Sequence, residues 1–400
     1  MSLLQERFER FMAWTSDTPL GLVIDRAQGS WLYLSDGRRI VDMISGIAVS
    51  SLGHGHPAVV EAVRKQAARH MHVMVYGEFV QRPQVDLAAF LAGRLPPSLQ
   101  VTYFTNSGTE ANEGALKLAK KGTGRSRMIA FEGSFHGDTH GSLSVTGRDV
   151  YQDPFRPLLP NVDILPFNHE RALQAIDEQT ACVITEPIQG EGGINIPEDN
   201  WMRALRARCN ETGALLIFDE VQTGFGRTGT LFAFEQFGVI PDILTIAKAF
   251  GGGMPLGAFI SSADRFQALR RDPPLSHVTT FGGHPVSCAA ALAALQVIVD
   301  EELPVRARAI EKRVRQRLHH PLIVEVRGRG AMLGMQLRDT DLTARTVRRC
   351  LEEGVLLGWT LYSDCLVRIA PPLTIPFDVL DGACDTIIRA LDTVEQDTQA

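Results

Sequence analysis

The 400-residue chain carries 40 Lys and Arg against 46 Asp and Glu, a formal net charge of −6, with 44% hydrophobic and 22% charged residues. That length predicts two or three packed units whose core needs no disulfide or metal, and the acidic balance offers no bulk positive charge to a nucleic acid. The opening MSLLQERFERFMAW mixes both charge signs, no segment reaches the ~20 apolar residues of a membrane span, and the six cysteines include no Cys-x-x-Cys pair. The expectation is a soluble, cytoplasmic protein with reduced thiols and no membrane partner.

In chain order, Leu22–Asp25, Trp31–Leu34 and Arg39–Met43 read as short strands, the last two joined by an Asp36-Gly37 turn. Between about 100 and 262 the pattern changes. The apolar runs Val101–Thr105, Met128–Phe131, Cys182–Thr185, Leu215–Phe218, Ile243–Ile246 and Ala258–Ser261 alternate with helical stretches such as Glu110–Lys120 and Trp201–Glu211. Runs that are apolar throughout, separated by helices, predict a mostly parallel sheet covered on both faces. Alanine-rich Val286–Val299 suits a buried helix.

After residue 300, the charged helix Pro304–Leu318 presents its arginines as a solvated face. Ile323–Val326 and Ala331–Leu337 form a hairpin turning at Arg327 to Gly330, followed by helix Leu342–Glu353, strand Val367–Ala370 and a helix from Phe377. The expected fold class is α/β: a large domain over 51–300, and a smaller α+β domain over 301–400 joined by the N-terminal segment 1–50.

In an open parallel sheet, ligands bind beyond the carboxyl ends of the strands, and polar or glycine-rich clusters fall there. Asn106-Ser107-Gly108-Thr109-Glu110 opens a helix with small residues and free amides; it suits a phosphate, or is a simple N-cap with a turn glycine. Asp219 closes a buried strand, where an acid needs a cationic partner unless it caps a turn. Lys248 closes another beside Gly251-Gly252-Gly253; lysine is rarely buried, and a desolvated one is a nucleophile toward aldehydes. Glu186 to Gly193 is a flexible loop with two carboxylates. A phosphate cradle, a buried acid and a buried lysine together match the needs of pyridoxal phosphate: an anion site, a partner for the pyridine nitrogen and an amine for the aldehyde.

Separated motifs extend this. SLGHGHP at 51–57, NSGTEA at 106–111, SFHG at 134–137, TEPIQGEGG at 185–193, IFDEVQTGFGRTG at 217–229, PDILTIAK at 241–248, TTFGG at 279–283 and VRIAPPLT at 367–374 resemble the class III (ω-amino acid) aminotransferases of pyridoxal-phosphate fold type I. The similarity is to the acetylornithine/ornithine branch and runs over nearly the whole chain. It implies a homodimer with shared active sites, moving an amino group from an ω-amine or amino acid donor to a keto acid, with 2-oxoglutarate as acceptor. Decarboxylases and racemases or epimerases of the same class share the fold and stand as alternatives.

The resemblance also implies roles. Lys248 carries the cofactor and then moves the substrate proton; Asp219 pairs with the pyridine nitrogen, and Gln222 approaches the ring hydroxyl. Ser107, Gly108 and Thr109 hold the phosphate, with Thr280 reaching it from the neighbouring subunit. Phe135 stacks on the ring, and His136 either supports the site or merely packs. Arg368 binds a substrate carboxylate, Glu191 neutralises it when none is present, and Tyr76 walls the substrate pocket. His54 and His56 have metal-like spacing but fall in a family turn, and no metal is expected. Two positions depart from the pattern: Asp138 stands where ornithine-type members place a carboxylate-binding arginine, and His284 stands where the family has asparagine. An anion at 138 disfavours a donor with a distal carboxylate and favours a neutral or cationic far end.

Overall fold

The computed structural model describes residues 3–399 apart from residue 76. Its largest sheet has seven strands in the spatial order Val101–Thr105, Gly257–Ser261, Ile243–Ile246, Leu215–Asp219, Thr180–Thr185, Arg127–Phe131 and Val162–Leu165. The last five run parallel, while Gly257–Ser261 is antiparallel to both its neighbours. Every residue of Thr180–Thr185, Ile243–Ile246 and Gly257–Ser261 is buried.

Successive strand residues point to opposite faces, and here both faces are covered. Met128, Ala130, Cys182, Ile184 and Ile217 pack with Ala115, Leu116 and Ala119 of the helix Gly108–Thr123. Ile129, Phe131, Val183, Leu216 and Phe218 belong to the other core, with Trp201, Met202 and Leu205 of the helix Asp199–Thr212. The first helix lies so close to the sheet that a Cβ on Gly114 would stand 2.3 Å from the Phe259 ring, so only glycine fits there.

A second sheet joins Ile323–Arg329, Met332–Leu337, Ser363–Ile369 and Gly358–Thr360, all antiparallel. A third carries Ile24–Gln28, Trp31–Leu34 and Arg39–Asp42, and Val355–Leu356 adds to it in parallel. Chain segments more than 300 residues apart are thus tied by main-chain hydrogen bonds such as Val41 N to Gly354 O, 2.8 Å.

Two expectations are corrected, and two elements were not expected. The hairpin turns at Gly330 and Ala331 rather than over Arg327 to Gly330, because Gly328 pairs with Leu333 inside the ladder. The arginines of the helix Leu303–Arg317 are not a merely solvated face: Arg306 Nε donates to Leu373 O at 2.8 Å, Arg315 Nη2 to Gly328 O at 2.8 Å, and Arg313 pairs with Asp381 at 2.7 Å. The edge strand Val162–Leu165, only four residues long, and the N-terminal helix Leu3–Phe11, which buries none of its residues, carry too little pattern to be foreseen.

Candidate active site

The parallel strands end on one edge of the large sheet, and the residues that follow them meet there. A cavity of about 700 Å³ is lined by Asn106 to Thr109, Phe135 to Thr139, Glu186, Asp219, Gln222 and Lys248, among others. Three of the predicted residues have no place in its lining: Thr280 is exposed elsewhere on the protomer, and Glu191 and Arg368 pair with each other beside Gln222. Tyr76 lies outside the described residues.

Lys248 leaves its strand in the left-handed region, with φ 50°. That conformation costs about 1 kcal/mol or more for a residue with a Cβ, and such strain concentrates at functional sites. Burial pulls the Lys248 pKa below the usual lysine range; Glu191 and Asp219 oppose the fall, and Arg368 adds to it. A partly buried amine with a lowered pKa spends more of its time neutral and nucleophilic.

Asp219 ends the strand Leu215–Asp219 with its side chain 4% exposed. Its Oδ2 accepts from Asn112 Nδ2 at 2.8 Å and lies 2.8 Å from His136 Nδ1, while Oδ1 accepts from Val221 N at 3.0 Å. Thr245 in turn donates to Asn112 Oδ1 at 2.7 Å. The His136 ring is thus packed against this carboxylate, and among the described residues its Nε2 is buried without a partner.

Ser107 is the N-cap of the 16-residue helix Gly108–Thr123, its Oγ accepting from Glu110 N at 3.3 Å. Glu110 in turn accepts from Asn106 N and Nδ2, each at 2.8 Å, tying the residue before the cap to the first turn. The first-turn amides of Gly108 and Thr109 have no intrahelical acceptor and lie at the positive dipole end, so the capped helix start still offers free donors to an anion. A Cβ on Gly108 would lie 2.8 Å from Val221, which keeps the backbone bare at this point.

The fourth wall is the loop after Thr180–Thr185. Glu186, fully enclosed, accepts from Phe135 N at 3.1 Å and from Gly190 N at 2.8 Å, fixing the ring-bearing wall to this loop. Burial pushes Glu186 up to about 7. Glu191 Oε2 meets Arg368 Nη2 at 2.6 Å and accepts from Leu361 N at 2.9 Å, and its Oε1 accepts from Gln222 Nε2 at 3.2 Å. Burial alone would raise the Glu191 pKa, but Arg368 and the Leu361 amide hold it below the ordinary carboxylate range. His54 is engaged by Asp42 at 2.8 Å, which fastens the turn before the helix Pro57–Arg69.

Sequence reasoning missed Asn112 and Tyr362. Asn112 was detectable: it is the polar member of an otherwise apolar helix stripe with Ala115, Leu116 and Ala119. Tyr362, whose hydroxyl donates to Ser134 O at 3.3 Å and whose ring meets Phe135 edge-on at 6.4 Å, carries no local signal because both contacts span more than 200 residues.

These donors suit a flat, aldehyde-bearing phosphate ester: an amine held partly desolvated, an oriented carboxylate opposite it, an aromatic wall, and bare amides at a helix start. Residues 11–391 match the family described as aminotransferase class-III, and the chain belongs to that family of transaminating enzymes. It is 43% identical over 369 residues to the acetylornithine aminotransferase of Methanopyrus kandleri, covering 91% of this chain and 92% of that one. Among solved structures it is similar to the ornithine aminotransferase of Toxoplasma gondii, with a TM-score of 0.91 at 29% identity, covering 99% of this chain and 96% of that one. It is also similar to an (S)-enantioselective omega-transaminase from Thermomicrobium roseum, with a TM-score of 0.89 at 30% identity and 98% of each chain covered.

Proposed function

We propose that this aminotransferase uses pyridoxal phosphate to move an amino group from an ω-amine or amino acid donor to 2-oxoglutarate. The observation that carries the reading is the convergence of Lys248, Asp219 and the start of the helix Gly108–Thr123 on one cavity. Ser107, Gly108 and Thr109 would hold the phosphate, Phe135 and Gln222 would flank the ring, and Asp219 would face the ring nitrogen as a fixed anion. When bound, the cofactor supplies a carbonyl for the amino group and a ring that takes up the electron pair released at the substrate carbon.

The chain's own residues do the rest. The Lys248 Nζ, neutral at a lower pH than an ordinary lysine, takes the proton from the substrate carbon and returns it on the other side of the transfer. His136 and Asn112 keep the Asp219 carboxylate aimed. Arg368 supplies a cation for the substrate carboxylate, and Glu191 occupies that cation at 2.6 Å until a carboxylate competes for it, so that one pocket serves an amine donor and a dicarboxylate acceptor in turn.

The working unit is a homodimer in which Thr280 serves the partner's cavity, in a cytoplasmic setting that suits six free cysteines. The test is a half-reaction: the loaded enzyme mixed with donor alone releases a stoichiometric amount of carbonyl product, and later addition of 2-oxoglutarate yields glutamate. Donor returned with inverted stereochemistry, or carbon dioxide released with turnover, would assign the protein to the racemases or decarboxylases instead.

A further inference from the structure

A second cavity lies at the opposite edge of the large sheet, where its parallel strands begin. It holds about 820 Å³, and Lys117, Lys120, Lys121, Arg125 and Arg127 line it against the single carboxylate of Asp163. Arg127 opens the strand Arg127–Phe131, and Asn161 and Gln179 directly precede the strands Val162–Leu165 and Thr180–Thr185. The three lysines belong to the helix Gly108–Thr123, whose first turn faces the cavity around Lys248. Its 16 residues, at a rise of about 1.5 Å each, put the two helix ends about 24 Å apart. The two linings share no residue.

The fold fixes these cations without neutralising them. Lys117 Nζ donates to Ser276 O at 3.2 Å and lies 3.0 Å from His277 Nδ1, while Lys121 Nζ donates to Arg271 O at 2.6 Å and to Ser276 Oγ at 3.3 Å. Arg125 Nη1 donates to Thr180 O at 3.0 Å and to Thr212 O at 2.9 Å, which holds the guanidinium in place. Neutral oxygens orient a cation and leave its charge. Of the five, only Arg127 has a carboxylate within 4.0 Å among the described residues, meeting Asp163 at 2.7 Å and Asp177 at 2.9 Å. Lys120 is half-buried, and its side chain has no hydrogen-bond partner among the described residues. Arg127 with its two carboxylates is net negative by one charge, and the helix end adds about half of another. Four cations without a carboxylate therefore leave an excess of about two positive charges or more around one recess. Offsetting the helix dipole needs only a fraction of one lysine, so that role does not account for the cluster.

We propose that this cavity is a binding site for a small anion of the phosphate class, one that carries two or more negative charges. A recess lined by one sign of charge concentrates counter-ions, and a multiply charged anion offsets the mutual repulsion of its walls. Three of the four cations without a carboxylate are lysines, point charges that lack the planar fork suited to a carboxylate and serve a tetrahedral phosphate as well. The Ser126 hydroxyl, which accepts from Asn161 Nδ2 at 3.2 Å, keeps its own proton for such a ligand. The site stands apart from the Lys248 cavity, and the inference does not rest on the aminotransferase reading.

The test is isothermal titration calorimetry of the holoenzyme, freed of excess cofactor, with pyrophosphate, inorganic phosphate and citrate at one ionic strength. Pyrophosphate is expected to bind once per chain, about tenfold or more tighter than phosphate, with an affinity that falls as salt rises. Citrate, also multiply charged, should bind more weakly than pyrophosphate. Lys120→Gln should weaken pyrophosphate by about tenfold, the scale of one charge-assisted contact, and Lys120→Arg should keep most of the affinity. Lys117→Gln, at an exposed position, should act in the same direction. Lys65→Gln removes the same charge outside the lining, from a side chain 73% exposed, and should change nothing. No binding of pyrophosphate, binding that Lys120→Gln weakens no more than Lys65→Gln does, or citrate held as tightly as pyrophosphate would each overturn the assignment.

Discussion

The carboxylate of Glu191 and the guanidinium of Arg368 meet at 2.6 Å with both side chains almost wholly enclosed, 9% and 3% exposed respectively. The pair joins two sheets: Glu191 follows the strand Thr180–Thr185, and Arg368 lies in Ser363–Ile369, opposite Gly334 and Gly358. Removing one partner of such a pair leaves a buried charge alone, commonly a loss of about 3–5 kcal/mol where nothing replaces it. In the proposed function a dicarboxylate acceptor takes the place of Glu191. Glu191→Gln is therefore expected to lower the KM for 2-oxoglutarate while slowing turnover of donors that lack a carboxylate near Arg368. Arg368→Gln should raise that KM by about a hundredfold and leave the donor half-reaction less affected. Single-turnover kinetics of the two half-reactions separate these effects, and a uniform loss in both would show that the pair does not switch.

His136 and Asn112 share Oδ2 of Asp219, each at 2.8 Å. A hydrogen bond to a charged acceptor contributes about 1.5–3 kcal/mol. His136→Phe should therefore weaken cofactor retention and lower kcat/KM by about tenfold to a hundredfold, with the cavity otherwise intact. Asp219→Ala removes the anion itself and should cost about a hundredfold to a thousandfold, the range for loss of a preorganised electrostatic contact. Equilibrium dialysis of the cofactor beside steady-state assays checks both.

Glu220 lies under the site with no exposure, accepting from Ala233 N at 2.8 Å, Phe234 N at 2.7 Å and Thr223 Oγ1 at 2.7 Å. Burial raises its pKa from 4.5 to about 7 despite those bonds. Between these two values the folded chain holds a proton that the unfolded chain has lost, so this group favours folding below pH 4.5 and loses that contribution as pH rises toward 7. The destabilisation caused by Glu220→Gln should therefore be larger at pH 5 than at pH 8. Urea midpoints of the native and variant proteins at the two pH values measure it; a gap that widens with pH would reverse the sign.

The legible part of this protein was the part written in strand ends. Asp219, Lys248 and Glu186 each close or follow an apolar run, so their position at the carboxyl edge follows from topology alone. The helix Gly108–Thr123 was visible from its capping residues, and starts two residues before the predicted Glu110 because the glycine and threonine of the phosphate motif already belong to its first turn. What escaped depends on distant partners. Arg306 and Arg315 look like solvated charge until the carbonyls of Leu373 and Gly328 come under them. Tyr362 sits in the short connection between Gly358–Thr360 and Ser363–Ile369, and its importance appears only when Ser134 and Arg148 fold against it. Local pattern records what an element buries, not which far loop it will hold.

Thr280 gives the last prediction. It is exposed, its carbonyl is held by His72 Nε2 at 2.9 Å, and it does not line the cavity of its own chain. Around it the surface is apolar: Phe281 is 54% exposed, Val278 50% and Phe79 53%. An exposed patch of that kind marks a contact surface, and a symmetric dimer through it would deliver Thr280 to the partner's helix start while burying the patch. Lys248→Ala and Thr280→Ala chains should each be weakly active or inactive alone. In a mixed dimer, however, one site receives the native Lys248 of one chain and the native Thr280 of the other. After subunit exchange in equal amounts, half the dimers are mixed and each has one native site of two, so activity should recover to about a quarter of the native value. Exchange verified by mass spectrometry with no recovery would show that each chain completes its own site.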